Sequence, residues 1–270
     1  MSPLWPIALI TFKEGTRNRA FYGISLIALL MMGAAFFIAG MIMQDVGKVA
    51  VDMSLSTVSF AGLLLVLFVG IDLMAKDLDK RTIYMVLARP ISRQQYIVGK
   101  FLGISLLIAT TVCILSLFGA ISIFLVKWAN PGYFPRFSWG PVLLADIFIA
   151  VSLILLSSLS FLFASFASTS FITLILTIIS YIIGQSMNAV KTLVENPQTA
   201  EITVSPFTVK LVQAAYYLFP NLSLFDIKTQ AAHGIAVPMT YIFWTLCYGI
   251  VYICLVTIFA ASLFSKKEFP

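Results

Sequence analysis

The chain has 270 residues, 60% of them hydrophobic and only 10% charged, with a formal net charge of +6 and a mean hydropathy of +1.01. A soluble domain carries roughly 25% charged residues, so the composition excludes one and specifies an integral membrane protein, read as a single transmembrane domain over 1–270. The modest positive charge gives no reason for a nucleic-acid partner. Cys113, Cys247 and Cys254 all fall inside apolar runs, where a free thiol packs as a small hydrophobe and offers neither a disulfide framework nor a metal site.

Residues 1–20 do not read as a signal peptide, because Lys13, Arg17 and Arg19 follow the first apolar stretch instead of preceding it. Leu4, Trp5, Ala8, Leu9 and Phe12 share one side at about 100° per residue. Thr11, Lys13, Glu14, Arg17 and Asn18 lie opposite, with Ile7 and Ile10 outside the pattern. The spacing predicts an amphipathic helix lying in the membrane interface with its Trp at headgroup depth.

Six apolar runs follow, at approximately 21–43, 55–74, 101–126, 142–166, 171–190 and 239–264. Each reaches the roughly 20 residues that cross a ~30 Å hydrocarbon core as a helix. They are continuous, not alternating, which selects helices over a barrel and gives an all-α fold. Eleven of the seventeen Lys and Arg fall in the N-terminal segment, in 75–100 or after the last run. Basic residues concentrate in loops that stay inside, so both termini and 75–100 are expected in the cytoplasm.

The segment 75–100 is the one long stretch that interleaves charge, helix punctuation and apolar residues. Asp77 to Leu87 forms a short helix with Tyr84, Met85 and Leu87 among its apolar contacts and Lys80 and Arg81 as solvated heads. Arg89-Pro90 stops it, since a residue before proline is pushed out of the α region. Ser92 then caps the next helix with Gln95 as the reciprocal member of a capping box. The expected product is an elbow of two helices around a proline corner.

Polar residues inside the runs are few. Ser152, Ser157, Ser158, Ser160 and Ser165 in the fourth run suit close helix packing, with a polar translocation path as the alternative. Gln185 and Asn188 are read as packing or interfacial residues. Asp72 needs water or a partner at that depth; a salt bridge with Lys76 or with a residue of the N-terminal helix is expected, against a proton relay. Other titratable groups are expected along loops. Ala167 to Ser170 predicts a tight hairpin between the fourth and fifth runs.

The segment 191–238 is the largest one expected outside. Ser205-Pro206 starts an amphipathic helix carried by Phe207, Leu211, Ala214, Ala215 and Leu218, and a second short segment runs from Leu222 to His233. Catalytic chemistry is not offered. No GxxxxGK[ST], HExxH or GxSxG occurs, and His233 lacks a second ligand nearby, so no catalytic, metal or cofactor site is assigned.

Lys80-Arg81-Thr82-Ile83, Leu87-Ala88-Arg89-Pro90-Ile91-Ser92-Arg93 and Gly99-Lys100 together resemble the segment between the second and third spans of type-2, exporter-class ABC transporter permeases. Arg81 stands where a glycine is frequent. With the six runs, the N-terminal helix and Phe219-Pro220-Asn221-Leu222, the resemblance is to the branch similar to the nitrous-oxide-reductase maturation permease. It implies six transmembrane helices, an interfacial N-terminal helix, a cytoplasmic coupling helix and short extracytoplasmic amphipathic helices. It implies that the chain is not itself an enzyme, that two copies pair in the inner membrane, and that each elbow docks on a separate ATP-binding cassette subunit holding ATP and Mg. The docking residues would be Asp77, Lys80, Arg81, Thr82, Tyr84, Met85, Leu87, Arg89, Pro90, Ile91, Ser92 and Arg93. Phe219, Pro220, Asn221 and Leu222 would face an extracytoplasmic, periplasmic partner. Export of a substrate is one reading. A mechanical module that moves nothing across, and an ATP-independent polytopic transporter, are the alternatives.

Overall fold

The computed structural model describes residues 4–41, 45–74, 92–129, 131–134, 137–167, 169–195 and 219–266. Among them every regular element is helical and none is a strand. Five helices are long and apolar enough to cross a bilayer, or six if the pair Leu4–Thr16 and Arg19–Ala35, bent by 60°, forms one span.

The first two elements are α1 (Leu4–Thr16) and α2 (Arg19–Met41). Asn18 makes the bend between them. Its Oδ1 accepts from the Ala20 N–H at 3.0 Å, an N-cap bond that satisfies one of the free donors of a helix start. A turn through Asp45, in the left-handed region at φ 59, then leads into α3 (Val46–Leu64). Asp is among the few residues that accept this conformation without strain.

The span begun by α3 continues through a π-helical stretch, Leu65–Gly70, to Met74. In it the Ile71 N–H reaches back to the Val66 carbonyl, one residue further than in an α-turn. The wider turn lets Leu65, Val66, Leu67, Val69 and Gly70 all be buried, which a 3.6-residue period could not do for so long a run.

Next comes α4 (Arg93–Ala129), 37 residues without interruption. At ~1.5 Å per residue it spans about 55 Å, far more than a ~30 Å hydrocarbon core. Its ends therefore stand outside the hydrocarbon, and the Arg93–Lys100 end is the polar one. The remaining crossings are α5 (Trp139–Phe166), α6 (Ser170–Glu195) and α8 (Met239–Lys266). The hairpin expected at Ala167 to Ser170 is present between α5 and α6.

The serines of α5 are packing residues. Ser158, Ser160 and Ser165 are each at most 2% exposed and donate to carbonyls of their own helix, Leu155, Ser157 and Phe161, at 2.7 to 2.8 Å. Ser165 also lies 3.1 Å from the Ala260 carbonyl of α8. Small hydroxylated side chains let the two backbones come close while the hydroxyls of Ser158, Ser160 and Ser165 stay bonded.

The segment after residue 218 turns into the bundle. Leu222–Phe225 forms a 3-10 turn and α7 (Lys228–Ala232) follows. Leu222, Phe225, Ile227 and Ala231 are each at most 2% exposed, packed among α3, α5 and α6. Leu222 fills a notch at Gly184, where a Cβ would come within 2.8 Å of it. The Phe225 ring meets that of Phe148 edge-on at 5.9 Å. The helix from Ser205-Pro206 falls outside the described residues.

Candidate functional site: the frame that carries the elbow

The segment expected to do the coupling lies between α3 and α4. Of its residues Asp77, Lys80, Arg81, Thr82, Tyr84, Met85, Leu87, Arg89, Pro90 and Ile91 lie outside the described residues, as does Lys76. Ser92 and Arg93 are described, and so are the helix ends on either side of the segment.

At the far end the expected capping box forms. The Ser92 N–H donates to Gln95 Oε1 at 3.1 Å, and the Gln95 N–H donates to Ser92 Oγ at 3.2 Å. This reciprocal pair starts α4 at a fixed residue, so the chain leaves the elbow in a set direction. At the near end, Lys100 reaches back from α4 and donates its ammonium to the Leu73 carbonyl. Its side chain also lies 5.6 Å from the centre of the Tyr96 ring, and that ring stacks on Phe264 at 6.4 Å. Lys100 is only 3% exposed. A buried ammonium demands bonded acceptors, so Lys100 ties the end of one span to the start of the next and, through Tyr96, to α8.

A second brace comes from α1. The Gly99-xxx-Gly103 notch of α4 receives its small face. A Cβ at Gly103 would stand 2.6 Å from the Ala8 carbonyl oxygen and 2.7 Å from Thr11 Cβ, and one at Gly99 would stand 2.9 Å from Ile7 Cβ. Ala8 and Thr11 are 0% and 3% exposed. Thr11, expected on the polar side of α1, is thus a packing residue. The reason is size: only small side chains let two helix backbones approach this closely. The bulky face, with Trp5 58%, Leu9 38% and Ile10 66% exposed, points away from the other described helices.

Asp72 is also held by the N-terminal segment. Asn18 Nδ2 donates to Asp72 Oδ2 at 3.2 Å, while the other expected partner, Lys76, lies outside the described residues. Asn18 therefore caps α2 with its oxygen and holds the end of the α3 span with its nitrogen. The three lever ends, α1, the α3 span and α4, form one cross-braced frame around the place where the elbow begins and ends.

The residues expected to meet an extracytoplasmic partner have another role. Pro220, Asn221 and Leu222 are buried, so within this chain they face inward. The Asn221 N–H donates to the Tyr248 hydroxyl at 3.0 Å, and its Nδ2 donates to Asn188 Oδ1 at 3.0 Å. The Ser223 hydroxyl donates to Asn221 Oδ1 at 2.5 Å. Asn221 thereby clamps α6 to α8. Of the four, Phe219 alone keeps a partly exposed side chain.

One intramembrane carboxylate was not foreseen. Asp146 lies in α5, and its Oδ1 is buried without a partner, as is the Ser116 hydroxyl oxygen of α4. A hydropathy window of twenty residues hides a single acid among Leu, Ile and Phe; reading the run residue by residue finds it.

The family model described as "ABC-2 family transporter protein" matches residues 5–269. The chain belongs to the ABC-2 family. Among its relatives is the protein described as "Probable ABC transporter permease protein NosY" of Pseudomonas aeruginosa, 30% identical over 172 residues, 59% of this chain and 62% of the relative. The protein of the same description from Stutzerimonas stutzeri is 29% identical over 165 residues, 57% of this chain and 59% of the relative. The alignment thus spans about three fifths of each relative. The frame described above is that of an ABC-2 membrane subunit, multi-pass and helical.

Proposed function

We propose that this ABC-2 chain is the permease subunit of an exporter-type ABC transporter and that it passes motion from a separate ATPase to its spans. The observation that carries this reading is the bracing of the helix ends on both sides of segment 75–91. Lys100 to Leu73 and Asn18 to Asp72 tie α1, the α3 span and α4 together at the two ends of one segment. A push on that segment moves three helices as a body, because packed helices shift as rigid elements. A loop that only linked two spans would have no use for such bracing.

In this reading the ATPase holds ATP and Mg, this chain has no catalytic or cofactor site of its own, and two copies of each subunit assemble in the inner membrane with both termini in the cytoplasm. The apolar Tyr84, Met85 and Leu87 fill a groove on the ATPase, while Lys80, Arg81, Arg89 and Arg93 pair with its acidic rim. The test is a charge reversal, Arg89→Glu with Arg93→Glu. Membrane insertion should survive and co-purification of the ATPase should fall at least tenfold, since a reversed charge pair at an interface costs several kcal/mol. Undiminished co-purification would exclude the docking role.

A second reading, a mechanical module that acts on an extracytoplasmic partner, is favoured by one feature. The cavity between Ser152 of α5, Gln185 of α6 and the ion pair of Asp226 and Lys228 measures about 20 Å³, room for about one water. No substrate larger than that fits in this cavity, so it offers a cargo no path. Cross-linking the two copies along α8 separates the readings: it should block export and leave a mechanical output on the partner intact.

A further inference from the structure

Beside the braced frame lies an open groove of about 660 Å³ lined by Lys13, Glu14, Arg17, Arg19 and Asp72, with Ile10 at its apolar edge. This is the size of a small-molecule site, and its charge is of both signs: three cations and two carboxylates. Lys13, Arg17 and Arg19 are exposed, and among the described residues the ion pairs within 4 Å are those of Lys48 with Asp45 and Lys228 with Asp226. Among the described residues no ion pair engages the groove's cations. Asp72 uses Oδ2 to accept from Asn18, which fixes its position in the groove lining.

Helix α1, which supplies Lys13, exposes Trp5, Leu9 and Ile10, and Arg17 and Arg19 follow just past its end. An amphipathic helix with bulky apolar residues outward and basic residues alongside sits at the headgroup boundary of a bilayer. A groove at that depth, lined by cations and carboxylates together and apolar at its edge, matches one kind of molecule. We propose that it is a phospholipid site. The phosphodiester lies among Lys13, Arg17 and Arg19, an acyl chain runs over Ile10, and a headgroup that donates hydrogen bonds is read by Glu14 and Asp72. Arginine pairs with phosphate through charge-assisted bonds. The carboxylates accept from the ammonium of phosphatidylethanolamine or the hydroxyls of phosphatidylglycerol, whereas the trimethylated ammonium of phosphatidylcholine has no N–H to give. The inference stands without the ATPase: it concerns this chain and the bilayer alone.

The test is native mass spectrometry of the purified full chain in detergent with an equimolar mixture of the three lipids, acyl chains matched. Ethanolamine and glycerol lipids should be retained about fivefold over choline lipid, roughly the effect of one hydrogen bond. R17Q with R19Q should lower the retention of all three lipids together. E14A with D72A should instead lower ethanolamine and glycerol lipid to the choline level. Equal retention of all three by the native chain, undiminished retention in R17Q with R19Q, or an unchanged preference in E14A with D72A overturns the site. Glycerophosphoethanolamine at millimolar concentration should not compete; competition at the concentration of the lipid would make this a soluble phosphodiester site and overturn the lipid assignment. If the variants do not fold, a chain keeping Trp5 with the other three tryptophans replaced by Phe reads the same preference. Brominated ethanolamine lipid should quench it more than brominated choline lipid, and equal quenching overturns the proposal.

Discussion

Lys100 donates its ammonium to the Leu73 carbonyl across the 27 residues that separate the end of one span from the start of the next. The bond closes the elbow at its base and buries a cation to 3% exposure. Lys100→Met keeps the stem and removes the charge, leaving the carbonyl without this donor. A charge-assisted bond of this kind contributes about 1.5–3 kcal/mol. We expect the thermal midpoint in detergent to fall clearly. Lys100→Arg should not restore it, because a planar guanidinium is larger than the space available. A midpoint unchanged in Lys100→Met would remove Lys100 from the frame.

The Gly99 and Gly103 notch gives a sharper contrast. Gly103→Ala places a methyl 2.6 Å from a backbone oxygen, whereas Gly23 and Gly33 of α2 have nothing within 4 Å of an added Cβ. The first substitution should cost about 1–3 kcal/mol by overpacking. The other two should be neutral or stabilising by up to about 1 kcal/mol, since alanine is the better helix former. Proteolysis within α1 reports the difference directly: it should accelerate in Gly103→Ala alone. Equal rates in all three variants would mean that α1 does not rest in this notch.

Which features could be read from sequence follows from how far apart their parts lie. The Ser92 and Gln95 box and the Ala167 to Ser170 hairpin are local, so spacing alone predicts them. The role of Thr11 is set by Gly103, more than ninety residues away, and a helical wheel that sorts by polarity puts Thr11 on the wrong side. The packing of Asn221 and Leu222 inside this chain is not legible in the sequence because their partners, Asn188, Gly184 and Tyr248, come from two other helices. The π stretch at Leu65–Gly70 leaves no trace in a run where every residue is apolar. Composition decides that the chain lives in lipid; small residues and single polar groups decide how it packs there.

Ser92→Ala tests the start of α4. The change removes the acceptor for the Gln95 N–H and should cost about 0.5–2 kcal/mol, the usual effect of losing an N-cap. Hydrogen exchange at the amides of residues 93–97 should rise several-fold while α5 and α8 stay protected. A global rise would point to a folding defect instead of a lost cap.

The Asn221 clamp calls for a cycle of variants. Tyr248→Phe removes the acceptor of a buried N–H and should cost about 1–3 kcal/mol. Asn188→Ala and Asn221→Ala remove the amide pair, and their coupling should be about 0.6 kcal/mol, since polar contacts between membrane helices are individually modest. Additive single effects would show that the 3.0 Å contact contributes nothing.

Asp146 offers the opposite sign. Its Oδ1 is buried in α5 near the Ser116 hydroxyl, but neither atom makes a hydrogen bond of good geometry. A carboxylate held inside a span costs several kcal/mol unless it is paired or hydrated, so a residue that only fills space there would be better as leucine. Asp146→Leu should therefore raise the thermal midpoint, and Asp146→Asn, which keeps the shape and can pair with Ser116, should raise it less. Ser116→Ala should change little in the wild-type background and should cancel the gain of Asp146→Asn. If Asp146→Leu lowers the midpoint, the acid has a partner inside the membrane, and a second copy of this chain seated on α4 and α5 becomes the first place to look for it.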